Sequence, residues 1–317
     1  MQLLAAPDKF RGTLTARQAA AAIAAGAARA GWTAVELPLA DGGEGTLDVL
    51  GGDNRRTTVT GPLGEPVEAG WRLEEDGTAL IEAALACGLT LAGGPKGNDP
   101  LAATSRGVGE LVAAAVEEGA DRIVVAVGGV ASTDGGAGAL QALPPRLPPI
   151  DVACDVEARF LDAADVFAPQ KGATPAQVRL LRERLARLDV PDLPGAGAAG
   201  GLAGGLAAAG ARLLPGFELV ADRLSLDRRL TESDLVVTGE GRLDATSFTG
   251  KVVGRVLDRA RAAGVDVLVV AGEVAANSPI DAASLVERYG PEHAFSEPAE
   301  CLTELVATAL ATRRNGP

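Results

Sequence analysis

Short apolar runs alternate with longer amphipathic stretches along most of this chain, and that alternation narrows the folds open to it. Leu3 to Ala6, Val35 to Leu39, Ile123 to Val127, Leu235 to Thr238 and Val267 to Val270 read as buried strands. Between them lie helix patterns such as "SRGVGELVAAAVEEG" and "KVVGRVLDRARAAG". Thr15 with Gln18 three residues later forms a capping box for the first helix, and Gly31 is its stop signal. Strands separated by helices pair in parallel, so the pattern predicts an α/β fold with a mostly parallel sheet covered by helices.

Two regions break the rhythm. "RRTTVTGPLGEPVEAGWRLEEDGTALIEAA" is split by Gly61-Pro62 and Gly64-Glu65-Pro66 and reads as antiparallel hairpins. Asp151 to Leu230 is mixed, with a helix in "TPAQVRLLRERLARL" and a glycine-rich segment. The expected organisation is a parallel-sheet domain of residues 1–46, 97–134 and 232–317. A second, smaller mixed α/β domain of 47–96 and 135–231 is inserted into it. "LPPRLPPI" reads as a stiff connection between the two.

Composition removes several classes of function. A net charge of −13 argues against general nucleic-acid or anionic-membrane binding. Cys87, Cys154 and Cys301 show no metal or disulfide spacing. No apolar run has membrane-spanning length and the start has no signal-peptide layout, so a cytoplasmic protein is expected. The one histidine, His293, lies in "PEHAFSEP", which reads as a short strand flanked by turns. Chemistry then falls to carboxylates, lysines and arginines.

Those residue types cluster just past the strand ends. The stretches are Asp8-Lys9-Phe10-Arg11-Gly12, Asp41-Gly42-Gly43-Glu44-Gly45, Gly128-Gly129 leading to Asp134, Gly239-Glu240-Gly241-Arg242-Leu243-Asp244, and Gly272-Glu273. The carboxyl ends of parallel strands share one edge, where ligands bind, so five such loops are expected along one rim. Glycine allows backbone N–H groups close to phosphate, and acids without histidine or cysteine suit Mg²⁺. That combination fits phosphoryl transfer. Lys251 opens a helix, where it either joins the helix N-terminus in attracting an anion or points away. "GAGAAG" matches a dinucleotide pattern but comes after "VPDLPG", which is no strand; it reads as a flexible loop, one able to close over substrate. "ATSFTGKV" lacks the residues of a P-loop. Gln170 and Lys171 precede a helix capped at Thr174 and stand as ligand candidates. Asp155 reads as a turn residue or a site carboxylate.

The segments "APDKFRGTLTA", "PLADGGEGTLDVL", "NDPLAATSRGVGEL", "FAPQKGATPAQV" and "DLVVTGEGRLD" resemble the bacterial type-1 glycerate kinase family over almost the whole chain. The resemblance implies transfer of the ATP γ-phosphoryl to a hydroxyl of D-glycerate, 2-phosphoglycerate being the favoured product. It also implies a flavodoxin-like (Rossmann-like) domain, a smaller mixed domain, and an active site in the cleft between them. On that footing Asp41, Glu44, Glu240 and Asp244 are the expected Mg²⁺ carboxylates, and Asp8 or Asp134 the acceptor of the substrate proton. Arg11, Lys9, Lys171 and Arg242 would pair with the substrate carboxylate or the transferring phosphoryl. Lys251, the loops at Gly128-Gly129 and Gly239-Gly241, and Lys171 would cradle ATP. The chain departs from the family pattern at Val130, Ser132 and Thr133, at Arg11 in place of lysine, at "DATSFTGK" in place of "DGQTLHGK", and in a shortened 143–150. These departures keep two other readings open: a kinase for another small hydroxy acid, and a ligand-binding homologue without catalysis.

Overall fold

The computed structural model describes residues 1–10 and 12–314. In chain order its strands are β1 (Gln2–Ala5), β2 (Thr33–Glu36), β3 (Arg55–Thr60), β4 (Pro66–Leu73), β5 (Thr78–Glu82), β6 (Arg122–Ala126), β7 (Ile150–Ala153), β8 (Arg212–Leu214), β9 (Leu235–Leu243), β10 (Asp266–Val274) and β11 (Ala283–Ser284). The chain divides into two compact units, Met1–Asp41 with Val220–Pro317, and Gly42–Leu219.

The first unit holds a five-stranded sheet in the order β11-β10-β9-β1-β2, parallel throughout. Parallel strands buried on both faces are apolar without alternation, which is why Leu3, Leu4 and Ala5, and Leu235, Val236 and Val237, run together. Helix Ala16–Arg29 begins at the Thr15–Gln18 capping box and buries Ala19, Ala20, Ile23 and Ala27. It packs on helix Pro298–Arg314 with Leu302, Val306 and Leu310 in the shared core. Gly26 sets how close the two helices come. A Cβ there would lie 2.5 Å from the Thr303 carbonyl oxygen and 2.9 Å from Val306 Cβ. The Thr303 hydroxyl also donates to the Ala22 carbonyl at 3.1 Å.

The second unit holds a six-stranded sheet, β3-β4-β5-β6-β7-β8. β3, β4 and β5 form the antiparallel meander read from the turn residues, with Gly64 left-handed in the β3–β4 turn. β5 to β8 are parallel. Trp71, Ile81, Leu111, Ile123, Val125 and Leu202 centre the core, and the Trp71 indole N–H donates to the Thr57 hydroxyl at 3.0 Å.

Several expectations need correction. Residues 97–134 are expected in the first domain, but β6 pairs with β5 and β7 in the second unit. Apolar runs of similar character fit either sheet, so pattern alone does not say which. The inserted unit takes the longer share of the chain and is not the smaller one. "LPPRLPPI" connects no domains: Leu143 and Leu147 pack on the second unit's own core as the chain enters β7. Residues 195–200 are turn and 3₁₀ backbone, mostly buried, with Ala196 and Ala198 in the interior. His293 lies in helix Pro291–Ser296, because Pro291 starts a helix as readily as it ends a strand.

The glycine contact yields a direct test. Gly26→Val should lower the unfolding free energy by about 2 kcal/mol, since overpacking outweighs any gain in helix propensity. Urea denaturation of the two proteins measures it.

Candidate active site

In the first unit the site is built by hydrogen bonds that continue past the strand ends. The Ala6 N–H donates to Val237 O at 2.8 Å, and the Asp8 N–H donates to Gly239 O at 2.9 Å. The Thr238 hydroxyl closes the gap by donating to Ala6 O at 2.8 Å. On the other side of β1, Leu37 N–H donates to Ala5 O and Leu39 N–H to Pro7 O. These bonds carry the chain after β1 between the ends of β2 and β9, and so gather Asp8, Asp41 and Glu240.

The acids feel one another. Burial pushes the Asp8 carboxyl up to about 7, with the Asp41 and Glu240 charges adding to the rise. The Lys9 N–H, 2.7 Å from Asp8 Oδ1, and the Lys9 charge oppose it. Burial also raises Glu240; the neighbouring Ser247 hydroxyl and Lys251 pull it back, while Asp244 and Asp41 push it further up. Glu240 Oε1 is buried without a hydrogen-bond partner. A carboxylate oxygen held dry among like charges fits a cation. Among the described residues, no three carboxylate, histidine or cysteine side chains form a metal-holding group by themselves. Mg²⁺ takes one or two carboxylates and completes its shell with phosphate oxygens and water.

Asp244 is occupied differently. Its Oδ1 accepts from the Thr246 N–H at 2.8 Å and hydroxyl at 2.6 Å, capping the 3₁₀ turn Ala245–Phe248; these bonds hold its pKa below the ordinary value. Lys251 is the N-cap residue of helix Val252–Ala263, and its Nζ lies 3.2 Å from Thr246 Oγ1. Arg242 is exposed. Gly239-Glu240-Gly241-Arg242 does not form a loop, because β9 and β10 stay paired out to Leu243 and Val274. Gly239 is required by that pairing: a Cβ would strike the Val270 carbonyl. Arg11 lies outside the described residues. His293 is exposed on its helix, edge-on to Tyr289.

The remaining expected residues fall in the second unit, so the five loops do not share one sheet edge. Glu44 is exposed on the turn Gly42–Gly45. That turn is held by Glu82, a buried carboxylate the sequence reading missed. Its Oε1 accepts from Gly45 N–H at 2.9 Å and its Oε2 from Leu47 N–H at 3.0 Å. The only signal was one acid at the end of the apolar run "TALIE". Gly128 lets two backbones meet, since a Cβ would lie 2.5 Å from Gly43 Cα; Gly129 is left-handed. Asp134 is fully engaged. Its Oδ2 accepts from the Ser105 N–H and hydroxyl and the Gly138 N–H, and its Oδ1 from the Gly136 N–H. A carboxylate so saturated fastens a loop and is poorly placed to accept a substrate proton. Asp155 likewise accepts from the Gly216 and Phe217 N–H groups.

Lys171 is buried, and its Nζ donates to the Ser132 carbonyl at 2.6 Å. Burial pushes the ammonium down to about 8, against the pull of the Cys87 thiol and the Asp134 carboxylate.

Comparison with known proteins identifies the family. The family model described as "Glycerate kinase family" matches residues 3–149 and 145–308. This chain belongs to the glycerate kinase family. It is 38% identical to the glycerate 2-kinase of Escherichia coli K12, over 93% of this chain and 90% of that one. It is 36% identical to the glycerate kinase of Bacillus subtilis 168 over the same shares. The crystal structure of a proposed glycerate kinase 2 from Salmonella typhimurium LT2 superposes with a TM-score of 0.82 at 34% identity, covering 99% of this chain and 98% of that one. The family is one of enzymes, and the α/β fold with a parallel sheet and a second mixed sheet is that of the family. Among the described residues, no helix is long and apolar enough to cross a membrane.

Lys171 gives a pH test with a defined sign. In the unfolded chain a lysine keeps its proton to about pH 10.4. Between about pH 8 and pH 10 the native protein has lost the Lys171 proton and the unfolded chain has not, so stability rises with pH across that window. Below it both states are charged and the full burial penalty remains. Lys171→Met should remove this rise, on the order of 2–3 kcal/mol. Urea unfolding of both proteins at pH 7.5 and pH 10 reads the difference.

Proposed function

We propose that this chain transfers the γ-phosphoryl of ATP to a hydroxyl of D-glycerate, giving 2-phosphoglycerate, with Mg²⁺. The observation that carries the proposal is the gathering of Asp8 and Asp41, past the carboxyl ends of β1 and β2, with Glu240 of β9, in a chain of this family. Ligands bind at that edge of a parallel sheet.

Asp41 and Glu240 hold the cation, and the buried, unpartnered Glu240 Oε1 is the oxygen left for it. The cation supplies charge neutralisation at the phosphates. Asp8 accepts the hydroxyl proton. It feels the charges of both other acids and is not saturated as Asp134 is. Lys251, beside Glu240 and at the start of a twelve-residue helix, orients the phosphate chain together with the helix N-terminus. Lys9, next to Asp8, pairs with the transferring group. A reaction that consumes ATP belongs in the cytoplasm. A second reading, a different small hydroxy acid as acceptor, is favoured by Val130, Ser132 and Thr133, where the residue types differ from the family pattern.

Coupled ADP-release assays with D-glycerate and related acids test the reading, and phosphorus NMR of the product identifies the hydroxyl. Asp8→Asn should lower kcat by about 100-fold or more. Its thermal stability should stay equal or rise, because a like charge leaves the cluster. Glu240→Gln should raise the Mg²⁺ concentration needed for half-maximal rate. Wild-type kinetics in both variants, or no ADP with any acid, would remove the proposal.

A further inference from the structure

The first unit holds a buried hydroxyl that the roles above do not use. The 3₁₀ turn Ala245–Phe248 follows β9 directly, and in it Ala245 and Thr246 are exposed while Ser247 is fully buried. Ser247 caps this turn: its Oγ accepts from the Asp244 N–H at 3.0 Å, in a box with the Asp244 carboxylate. That bond uses an oxygen lone pair and leaves the hydroxyl proton to give. A buried proton of this kind needs an acceptor. The carboxylate beside it is that of Glu240, to which the Ser247 side chain is hydrogen-bonded. Glu240 Oε1 has no partner, so the bond leaves that oxygen free.

The Ser247 backbone is firmly pinned. Its N–H donates to the Asp244 carbonyl at 3.0 Å. The next residue, Phe248, packs on the cluster of Leu243, Val253 and Val269. Helix Val252–Ala263 presses on the turn at Gly254, where a Cβ would lie 2.7 Å from Phe248 Cα and 3.0 Å from the Ser247 carbonyl oxygen. Glu240 is fixed less completely. Its backbone is held by the pairing of β9 with β10, opposite Ala271. Its side chain still has its torsions to settle, and the charges of Asp41 and Asp244 repel its carboxylate. Lys251 attracts it, but an ammonium on a flexible stem fixes no direction. A hydroxyl on a rigid turn does.

We propose that Ser247 is a positioning residue for the cation: its hydroxyl holds the Glu240 carboxylate and keeps Oε1 in place for the metal. This rests on the reading of Glu240 as a metal carboxylate. In this role Ser247 acts through Glu240 alone. A serine that only capped the turn would lower stability when removed and leave metal affinity unchanged.

The test is the affinity for Mn²⁺ alone, standing in for Mg²⁺ and read from the EPR signal of the free ion. It compares wild type, Ser247→Ala, Ser247→Thr, Glu240→Gln and the variant carrying both Ser247→Ala and Glu240→Gln. Ser247→Ala should weaken Mn²⁺ binding about tenfold, the usual effect of losing a hydrogen bond that orients a metal ligand. Ser247→Thr keeps the hydroxyl and should stay close to wild type. In the Glu240→Gln background the Ser247→Ala change should add less than about twofold, because the group it acts through is gone. The Mg²⁺ concentration for half-maximal rate should rise in step with the lost Mn²⁺ affinity, and kcat at saturating Mg²⁺ should change much less. Ser247→Cys, similar in size but a weak donor, carries the test if Ser247→Ala does not fold. The proposal is overturned if folded Ser247→Ala binds Mn²⁺ like wild type, if its loss is as large in the Glu240→Gln background as outside it, or if Ser247→Thr loses as much as Ser247→Ala. Ser247-dependent Mn²⁺ binding in a protein that forms ADP with no acid would refute the kinase reading and leave the positioning role standing. ADP release with D-glycerate, together with unchanged Mn²⁺ affinity in Ser247→Ala, would do the reverse.

Discussion

The hydrogen bond from the Asp8 N–H to the Gly239 carbonyl fixes what the first unit can do. It extends the register of β1 on β9 past the last ladder pair, Ala5 with Val237, and so brings an acid just beyond one strand beside an acid within another. Without it the turn after β1 would be free to direct Asp8 to solvent. The carboxyl would then lose both the burial and the like-charge neighbours that raise it. Backbone pairing past the strand ends, closed by the Thr238 hydroxyl, creates this charge crowding.

The second unit shows the complementary device. Buried or half-buried polar side chains hold glycine-rich backbone in place: Glu82 the turn at Gly45, Asp134 the turn at Gly136 and Gly138, Lys171 the carbonyl of Ser132. Each carboxylate accepts from two or more N–H groups, so its charge is dispersed over backbone dipoles. Glycine-rich loops are permissive by themselves, and these bonds select one conformation. Lys171 is the exception, a buried charge whose donors are not all used.

The sequence carried the alternation, the capping box at Thr15, the meander at Arg55–Leu73 and the acid character of the strand ends, because each depends on local spacing. It did not carry sheet membership. β6 reads like β1 or β9 as a string of apolar residues, and only long-range pairing assigns it to the other sheet. For the same reason one rim of five loops became two sets in two units. Local reading also mistook glycine chemistry: Gly239 serves strand packing against Val270, and Asp134 looked available because its partner Ser105 is distant in the chain. Glu82 was invisible since nothing in "TALIE" distinguishes a buried acceptor from an ordinary edge acid.

The way the units divide has a consequence for biosynthesis. Gly42–Leu219 is continuous, so every strand of its sheet has been synthesised before Leu235 is added. β1 and β2, made first, are neighbours in the other sheet, but β1 has its second partner only when β9 emerges at the far end of the chain. The opening segment therefore waits, half-paired and apolar, through the translation of the whole intervening unit. The demand on chaperones falls on the amino-terminal residues, although they belong to the last sheet to close.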